Sequence, residues 1–377
     1  MATADYPEYS LDAELEAFFT KTSATHAACD AKARELTTSE NVVPVEIHGT
    51  CSYSVYAGAE LEYVVQFRLE SLGLKAELMA QVREVYADLA PRVSFEGMIG
   101  DAESKGPKNK EEKWERKENG KEPLYVYKMT RVKGITHLEY ILAKGFPENS
   151  AENLAARERL MGDLGRFMAR SWLSSSVSER DLRQGYLLDL QALQVALPKR
   201  FQLIIAKLIA SLDEIFESLP MVLLHKDLGS SNIIVDENTC HLTGVIDWAE
   251  ATVCPFGMNL HSLEAITGKL HLRNGWVRYE DYDSLWETFW RRFGAEVKEN
   301  DKLGDDGERR MEMIGLARVL GLVLSKGFTS RIGNEKPVPI TAGTGQGDAE
   351  KDERARYNLL YLDGFLLDEG TRWDGLD

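Results

Sequence analysis

The chain has 377 residues, 44% of them hydrophobic, which is enough to bury a sizeable core and to form two domains. A net charge of −16 and a pI near 5.1 argue against a nucleic-acid-binding surface, and an acidic chain would suit a cationic ligand. The N-terminus lacks the apolar core of a signal peptide, and no run approaches the ~18 apolar residues of a membrane span, so we expect a cytoplasmic protein without a membrane partner.

Cysteine usage fits a reducing compartment with unpaired thiols, because the four cysteines show no paired spacing. They are Cys29, Cys51, Cys240 and Cys254. Together with His241 and His261, Cys240 and Cys254 could form a zinc-binding set. The irregular spacing of these four residues disfavours that alternative.

The first part of the chain combines helix and strand patterns. Apolar residues at helical spacing predict a helix within residues 10–37. Residues 45–68 are rich in β-branched and aromatic side chains and are interrupted by Gly49 and Gly58, which predicts a hairpin and a third strand ending at Arg68.

A second helix is predicted over residues 74–90, where Glu77 and Glu84 lie on one face because they are seven residues apart. Residues 101–122 are dominated by charge and predict a solvated insertion between two strands. The next strand is predicted over residues 123–129.

The remainder of the chain is mostly helical in pattern from Glu152 onward, with a wide apolar helix face over residues 201–219. Short strand-like runs at 222–224, 233–235 and 242–246 interrupt the helices. The fold class predicted from this order is α+β, with a β-rich N-terminal part and a mainly helical C-terminal part.

Oxygen-bearing side chains stand at the ends of these short strands. His225 and Asp227 follow the first run, Asn232 comes five residues after Asp227, and Asp247-Trp248 ends the third run. Tight β connections can bring such side chains to one point, which is the arrangement that phosphoryl transfer with magnesium requires. This segment resembles the catalytic segment of aminoglycoside phosphotransferases and related small-molecule kinases.

The resemblance implies a two-lobed protein-kinase-like fold, with a nucleotide-binding lobe over 1–130 and a catalytic and substrate-binding lobe over 131–377. It implies ATP-dependent phosphorylation of a small-molecule hydroxyl. Asp227 would be the catalytic base, Asn232 and Asp247 would hold Mg²⁺, and His225 would brace the loop.

Within the small lobe, the resemblance implies that a hairpin covers the nucleotide phosphates with Gly49, Ser52 and Tyr53. Arg68 would contact the α- and β-phosphates, and Glu77 is favoured over Glu84 as its carboxylate partner. The backbone of the interlobe hinge would hold the adenine, and by position this hinge consists of Lys128, Met129, Thr130 and Arg131.

The sequence departs from the family pattern at two places. Arg68 stands where the family has a Lys, and Asn259 stands where aminoglycoside kinases have an Asp that braces the loop. An aminoglycoside acceptor is therefore not carried over, and the sequence determines neither the acceptor, nor ATP against GTP, nor the oligomeric state. The alternative is an inactive nucleotide-binding or scaffold protein of the same fold. Protein kinase activity is disfavoured, because no activation segment ending in A-P-E follows Asp247.

Overall fold

The structure, a computed structural model, describes residues 10–46, 51–100, 121–175, 181–271, 275–298, 307–329, 337–341 and 349–376. Gly49 and nearly all of the predicted charged insertion lie outside these ranges. The chain divides into two compact units. The first contains Pro91–Arg131 and the described residues up to Met79, and the second contains Ala80–Ala90 and the described residues from Val132 onward.

The first unit is built on one antiparallel sheet of five strands in the order β1-β2-β3-β5-β4. The predicted N-terminal helix is two helices, because the chain turns after Phe19 and Thr25 caps a new helix. The elements are α1 (Leu11–Phe19), α2 (His26–Thr37), β1 (Val42–Pro44), β2 (Ser52–Ala57), β3 (Tyr63–Leu69), the start of α3 (Ala76–Tyr86), β4 (Val93–Ile99) and β5 (Leu124–Thr130).

The core of this unit lies where α1 and α2 cover β2 and β3. It contains Phe18, Cys29, Tyr53, Val55 and Phe67, all buried. Burial of side chains this large supplies most of the driving force for folding of the unit.

The second unit is mainly helical and contains short antiparallel strand pairs, including a β11–β12 hairpin that the sequence did not predict. Its elements are β6 (Ile135–Thr136), α4 (His137–Lys144), α5 (Ala151–Leu173), α6 (Leu182–Ala196), α7 (Gln202–Ser218), β7 (Met221–Leu224), β8 (Ile233–Val235), β9 (Leu242–Val245), β10 (Thr252–Pro255), α8 (Glu264–Thr267), β11 (Gly268–His271), β12 (Gly275–Arg278), α9 (Tyr282–Lys298), α10 (Gly307–Lys326) and α11 (Ala349–Leu366).

Of the three small strand groups in the described part of the second unit, two present the predicted catalytic residues. β7 pairs with β10, and β8 lies between β6 and β9. The Tyr86 hydroxyl, at the end of α3, donates a 2.6 Å hydrogen bond to the Leu223 carbonyl of β7, and its ring stacks on Phe167 of α5. These buried contacts fix the strand that leads into the predicted catalytic loop.

The predicted fold class is confirmed. The structure is α+β, with a β-rich N-terminal unit and a mostly helical C-terminal unit. Among the helices in the described ranges, none combines the length and the apolar character needed to cross a bilayer.

Candidate active site

The loop between β7 and β8 carries Asp227 and Asn232 and is held closed by its own hydrogen bonds. The Asn232 backbone N–H donates to the Gly229 carbonyl at 2.9 Å, and the Ile233 N–H donates to the same carbonyl at 3.2 Å. Leu228 is fully buried and anchors the loop, whereas Asp227 is exposed. The loop thus presents one carboxylate to solvent from a rigid base.

The Asn232 side chain is fixed by Asp227. Its Nδ2 donates to the Asp227 main-chain carbonyl at 2.9 Å and to the Asp227 carboxylate oxygen Oδ2 at 3.0 Å. The amide nitrogen of Asn232 carries two hydrogens, and these two hydrogen bonds use both of them. The bonds orient the carboxylate of Asp227 and leave the Oδ1 of Asn232 as an oxygen donor.

The start of α4 holds the other side of the loop. A capping box between Thr136 and Glu139 begins the helix, and His137 Nδ1 lies 3.2 Å from the Ser230 hydroxyl. The Leu138 N–H donates to the Ser230 carbonyl at 3.0 Å. The middle of the catalytic loop therefore cannot move without disrupting a helix N-terminus.

His225 lies at the base of the loop, where the resemblance predicts a bracing residue. It is buried, its Nε2 lies 2.9 Å from the Ile246 carbonyl, and its ring packs edge-on against Trp248 at 4.8 Å. Burial lowers the pKa of His225, although the hydrogen bond to Ile246 and the charges of Asp247 and Asp227 oppose that shift. A neutral imidazole that donates from Nε2 fits this site.

Asn259 performs a bracing role at the position where the family has an Asp. It is buried, and its Nδ2 donates to the His225 carbonyl at 3.1 Å. An ionised Asp could not make this bond, because it has no hydrogen to donate, so the contact depends on the amide of Asn259. The departure from the family pattern is therefore compatible with a supported catalytic loop.

Asp247 lies directly after β9 in a strained backbone conformation. Its φ of 57° and ψ of 62° are left-handed values that non-glycine residues adopt rarely, and its side chain is exposed. The Ile246 N–H donates to the Asn232 carbonyl at 2.9 Å, so the chain segments carrying Asp247 and Asn232 are hydrogen-bonded to each other.

The donor set at this point suits a hard divalent cation. Asn232 Oδ1 and the Asp247 carboxylate are oxygen donors, which Mg²⁺ prefers, and neither a thiol nor an imidazole is needed. In the described part of the chain, no group of three or more His, Cys, Asp and Glu side chains could hold a metal ion by itself. Magnesium at this site would therefore share its coordination with nucleotide phosphates.

Two residues near Asp227 had not been predicted from the sequence. Burial lowers the pKa of Lys326, and the negative charge of Asp227 opposes this effect. Burial also raises the pKa of Tyr361, and Asp227 contributes to this rise. Both residues come from the last helices of the chain, where the helical pattern contains no local signal for a site.

In the first unit, the structure changes the interpretation of Tyr53. Its side chain is fully buried, its hydroxyl donates to Asp30 Oδ1 at 2.7 Å, and His26 Nε2 lies 2.7 Å from the same hydroxyl. This hydroxyl is therefore engaged by α2, and the predicted phosphate contact of Tyr53 stays a prediction. Ser52 is nearly buried on β2 opposite Arg68, and Gly49 lies outside the described residues.

Arg68 is 4% exposed on β3, and the structure does not show its predicted pairing with Glu77. Its Nε donates to the Leu72 carbonyl at 2.9 Å, and its Nη1 donates to Gln66 Oε1 at 3.2 Å. Glu77 and Glu84 are both exposed on α3, and within the described residues no ion pair joins Arg68 to Glu77. The local bonds of β3 orient the guanidinium instead.

The predicted adenine-binding segment is engaged in the sheet. The Thr130 N–H donates to the Arg92 carbonyl at 3.0 Å, and the Arg131 N–H donates to the Glu62 carbonyl at 2.9 Å. These two N–H groups are therefore engaged within the unit, and the adenine contact of this segment stays a prediction for its other backbone groups. Lys128 and Met129 lie within β5, which pairs with β3 and β4 on its two sides.

The α+β fold and the match to the family model define a phosphotransferase. The chain belongs to the phosphotransferase enzyme family (APH), whose model matches residues 52–263, more than half of its length. No curated protein matches the sequence significantly.

Among solved structures, the fold is similar to the GDP complex of a mutant of aminoglycoside 2'-phosphotransferase-IIIa. That structure has a TM-score of 0.50 and 15% identity, with coverage of 86% of this chain and 90% of that chain. Macrolide 2'-phosphotransferase type I gives a TM-score of 0.46 at 13% identity, over 80% of this chain and 91% of its own.

Two buried histidines predict that stability falls at mildly acidic pH. Burial lowers the pKa of His137 to about 4. Burial also lowers the pKa of His261 to about 3, and the positive charges of Lys326 and Arg318 add to this shift. An unfolded histidine binds a proton near pH 6.5, so the unfolded state gains protons on acidification before the native state does.

The stability that each neutral, buried histidine contributes is fully present above pH ~6.5. It is lost progressively toward pH ~4, and the free energy of unfolding falls by up to about 1.4 kcal/mol per pH unit for each histidine. Urea unfolding at several pH values between these limits measures it. His261→Gln should flatten this pH dependence, whereas the exposed His271→Gln should not. An unchanged slope in the His261 variant would contradict the assignment.

Proposed function

We propose that the protein transfers the γ-phosphoryl group of ATP to a hydroxyl group of a small molecule. The observation that carries the proposal is the pair of hydrogen bonds from Asn232 to Asp227 in the segment matched by the family model. These bonds fix a solvent-exposed carboxylate beside an oxygen donor. Positioning of this kind is the main requirement of phosphoryl transfer, which needs little covalent chemistry from the protein.

In the proposed reaction, the Asp227 carboxylate accepts a hydrogen bond from the acceptor hydroxyl and takes its proton as transfer proceeds. The acceptor oxygen forms a bond to the γ-phosphorus, and the bond from that phosphorus to the β–γ bridging oxygen breaks. ADP leaves with the bridging oxygen. Asn232 keeps the carboxylate in the orientation that accepts the proton.

Asn232 Oδ1 and the Asp247 carboxylate are the residues that would hold Mg²⁺, and the cation would neutralise charge on the phosphates. Arg68 is proposed as the cation that contacts the α- and β-phosphates. Two features support this assignment. Arg68 lies on β3, and the planar donor set of a guanidinium suits phosphate oxygens.

The test is ADP release by the full chain with ATP or GTP, Mg²⁺ and a panel of hydroxyl compounds, followed by detection of the phosphorylated product. We expect release that depends on both Mg²⁺ and an acceptor. Asp247→Ala should abolish the Mg²⁺ dependence of nucleotide affinity, because it removes the anionic ligand. Glu237→Ala, an exposed acidic residue in the β8–β9 turn, is the matched control and should match the wild type.

Two results would contradict the proposal. The first is a nucleotide affinity that responds to Mg²⁺ equally in the wild type and in Asp247→Ala. The second is saturable nucleotide binding with no acceptor-dependent turnover across a broad panel, which would favour the inactive nucleotide-binding alternative.

A further inference from the structure

Three side chains on α10 and α11 form a group that neither the family pattern nor the proposed transfer step uses. They are Lys326, at the C-terminal end of α10, and Tyr357 and Tyr361 on α11. We call them the Lys326 cluster. The two tyrosine hydroxyls lie 2.8 Å apart, and the Lys326 ammonium lies 4.3 Å from the centre of the Tyr361 ring and 5.9 Å from that of Tyr357.

The cluster is held in place by the helices that carry it. Asn358 Nδ2 donates to the Phe328 carbonyl at 3.0 Å, which ties α11 to the chain just after α10. The Tyr361 ring packs edge-on against Trp276 at 4.9 Å. Lys326 and Tyr361 are partly buried, while Tyr357 is exposed, so the cluster opens to solvent on the Tyr357 side.

The Lys326 ammonium is not neutralised by the protein surface around it. Within the described residues it has no carboxylate oxygen within 4.0 Å and no hydrogen bond. A partly buried cation without a hydrogen-bonded counter-ion is costly. The helix that carries Lys326 packs against the support of the Asp227 loop, because Gly321 meets the Met258 backbone and the neighbouring Asn259 donates to the His225 carbonyl. Asp227 acts electrostatically on Lys326 and lies more than 4.0 Å from its ammonium.

This arrangement separates two binding functions. Asp227 meets the acceptor hydroxyl in the proposed reaction. The Lys326 ammonium is carried by the helix that packs against the support of the same loop, and its donors meet no acceptor among the described residues. We propose that the Lys326 cluster binds an anionic group, a carboxylate or a phosphate, on the same acceptor molecule whose hydroxyl is presented to Asp227. This inference rests on the proposed function, and it assigns the acceptor to the class of hydroxylated anions.

The cluster argues against a cationic acceptor at this point. Tyrosine ring faces attract cations, but the Tyr361 ring already has Lys326 over it, and a second cation would be repelled by the first. The proposal therefore differs from the expectation drawn from the net charge of −16. Net charge describes the whole surface, whereas acceptor selection depends on the charges within a few ångströms of Asp227.

Lysine near a helix C-terminus also stabilises the helix dipole, so the test must measure something that this structural role would not change. The readout is the relative affinity for acceptors of similar size and shape that carry a negative, a neutral or a positive group. One matched set is glucuronate, glucose and glucosamine, and a second is glycerate, glycerol and serinol. Titration calorimetry on the full chain saturated with Mg·ADP measures binding without requiring transfer.

We expect the wild type to bind at least one anion of these sets about tenfold or more tightly than its neutral and cationic counterparts, as a charge-assisted hydrogen bond provides. Lys326→Met should remove this preference, and Lys326→Arg should keep part of it. Lys199→Met, which removes an exposed lysine elsewhere in the second unit, should retain it fully.

Equal affinities within both sets, or no binding of either anion, would overturn the proposal. So would a preference for anions that survives in Lys326→Met. The proposed function fails separately: an anion preference that depends on Lys326, without acceptor-dependent ADP release, would leave the subsite standing and remove the transferase assignment. Transfer to cationic acceptors, without a preference for anions, would leave the transferase assignment standing and remove the anion subsite.

Discussion

Asp227→Asn should lower the rate of phosphoryl transfer by about 100- to 10,000-fold, the range that general-base catalysis contributes. The substitution removes the group that takes the proton from the acceptor hydroxyl. It need not disturb the loop, because Asn can keep its side-chain oxygen as the acceptor for Asn232 Nδ2, which now lies 3.0 Å from Oδ2 of Asp227. Nucleotide affinity should therefore be close to that of the wild type.

The measurement is kcat and KM for ATP in the ADP-release assay, together with direct binding of Mg·ATP. A loss confined to kcat indicates an interaction made only during transfer. Glu237→Gln makes the same chemical change at an exposed carboxylate of the neighbouring turn and should be neutral. Turnover of Asp227→Asn within a few-fold of the wild type would remove Asp227 from the role of base.

The close approach of Asp227 and Asn232 was predictable because it depends on short-range sequence. Asp227 and Asn232 are five residues apart and hydrogen-bond each other, and the strands on either side follow from short apolar runs. The α+β division was predictable for the same reason, since strand and helix periods differ within each segment. Predicting where these residues lie required no information about distant parts of the chain.

The remaining site residues could not be predicted, because side-chain orientation and partners depend on packing. Tyr53 belongs to a strand whose two faces look equally plausible in sequence, and α2 decides that its ring is buried. Glu77 has a suitable position along α3 but is exposed. Lys326 reaches the neighbourhood of Asp227 from a helix about 100 positions later, and no local pattern indicates such an encounter.

Helix α10 supports the catalytic loop at Gly321, which lies close to the backbone of Met258. A Cβ at this position would overlap the carbonyl oxygen of Met258. Met258 stands between Gly257, whose φ is 99°, and Asn259, whose amide donates to the His225 carbonyl. A side chain at residue 321 therefore pushes on the segment that braces the catalytic loop, and the backbone atoms that it meets cannot rotate away.

Gly321→Ala should accordingly lower the free energy of unfolding by about 3 kcal/mol, the upper end of typical overpacking costs, even though Ala favours helix over Gly by about 1 kcal/mol. Gly315→Ala is the matched control on the same helix, since a Cβ added there meets no described atom within 4 Å apart from the adjoining backbone of its own helix. This control should gain about 0.5–1 kcal/mol. Urea unfolding of both variants measures the difference, and transfer activity should fall in Gly321→Ala alone. If both substitutions stabilise the protein equally, Gly321 is not a contact point and α10 does not support the loop through Met258.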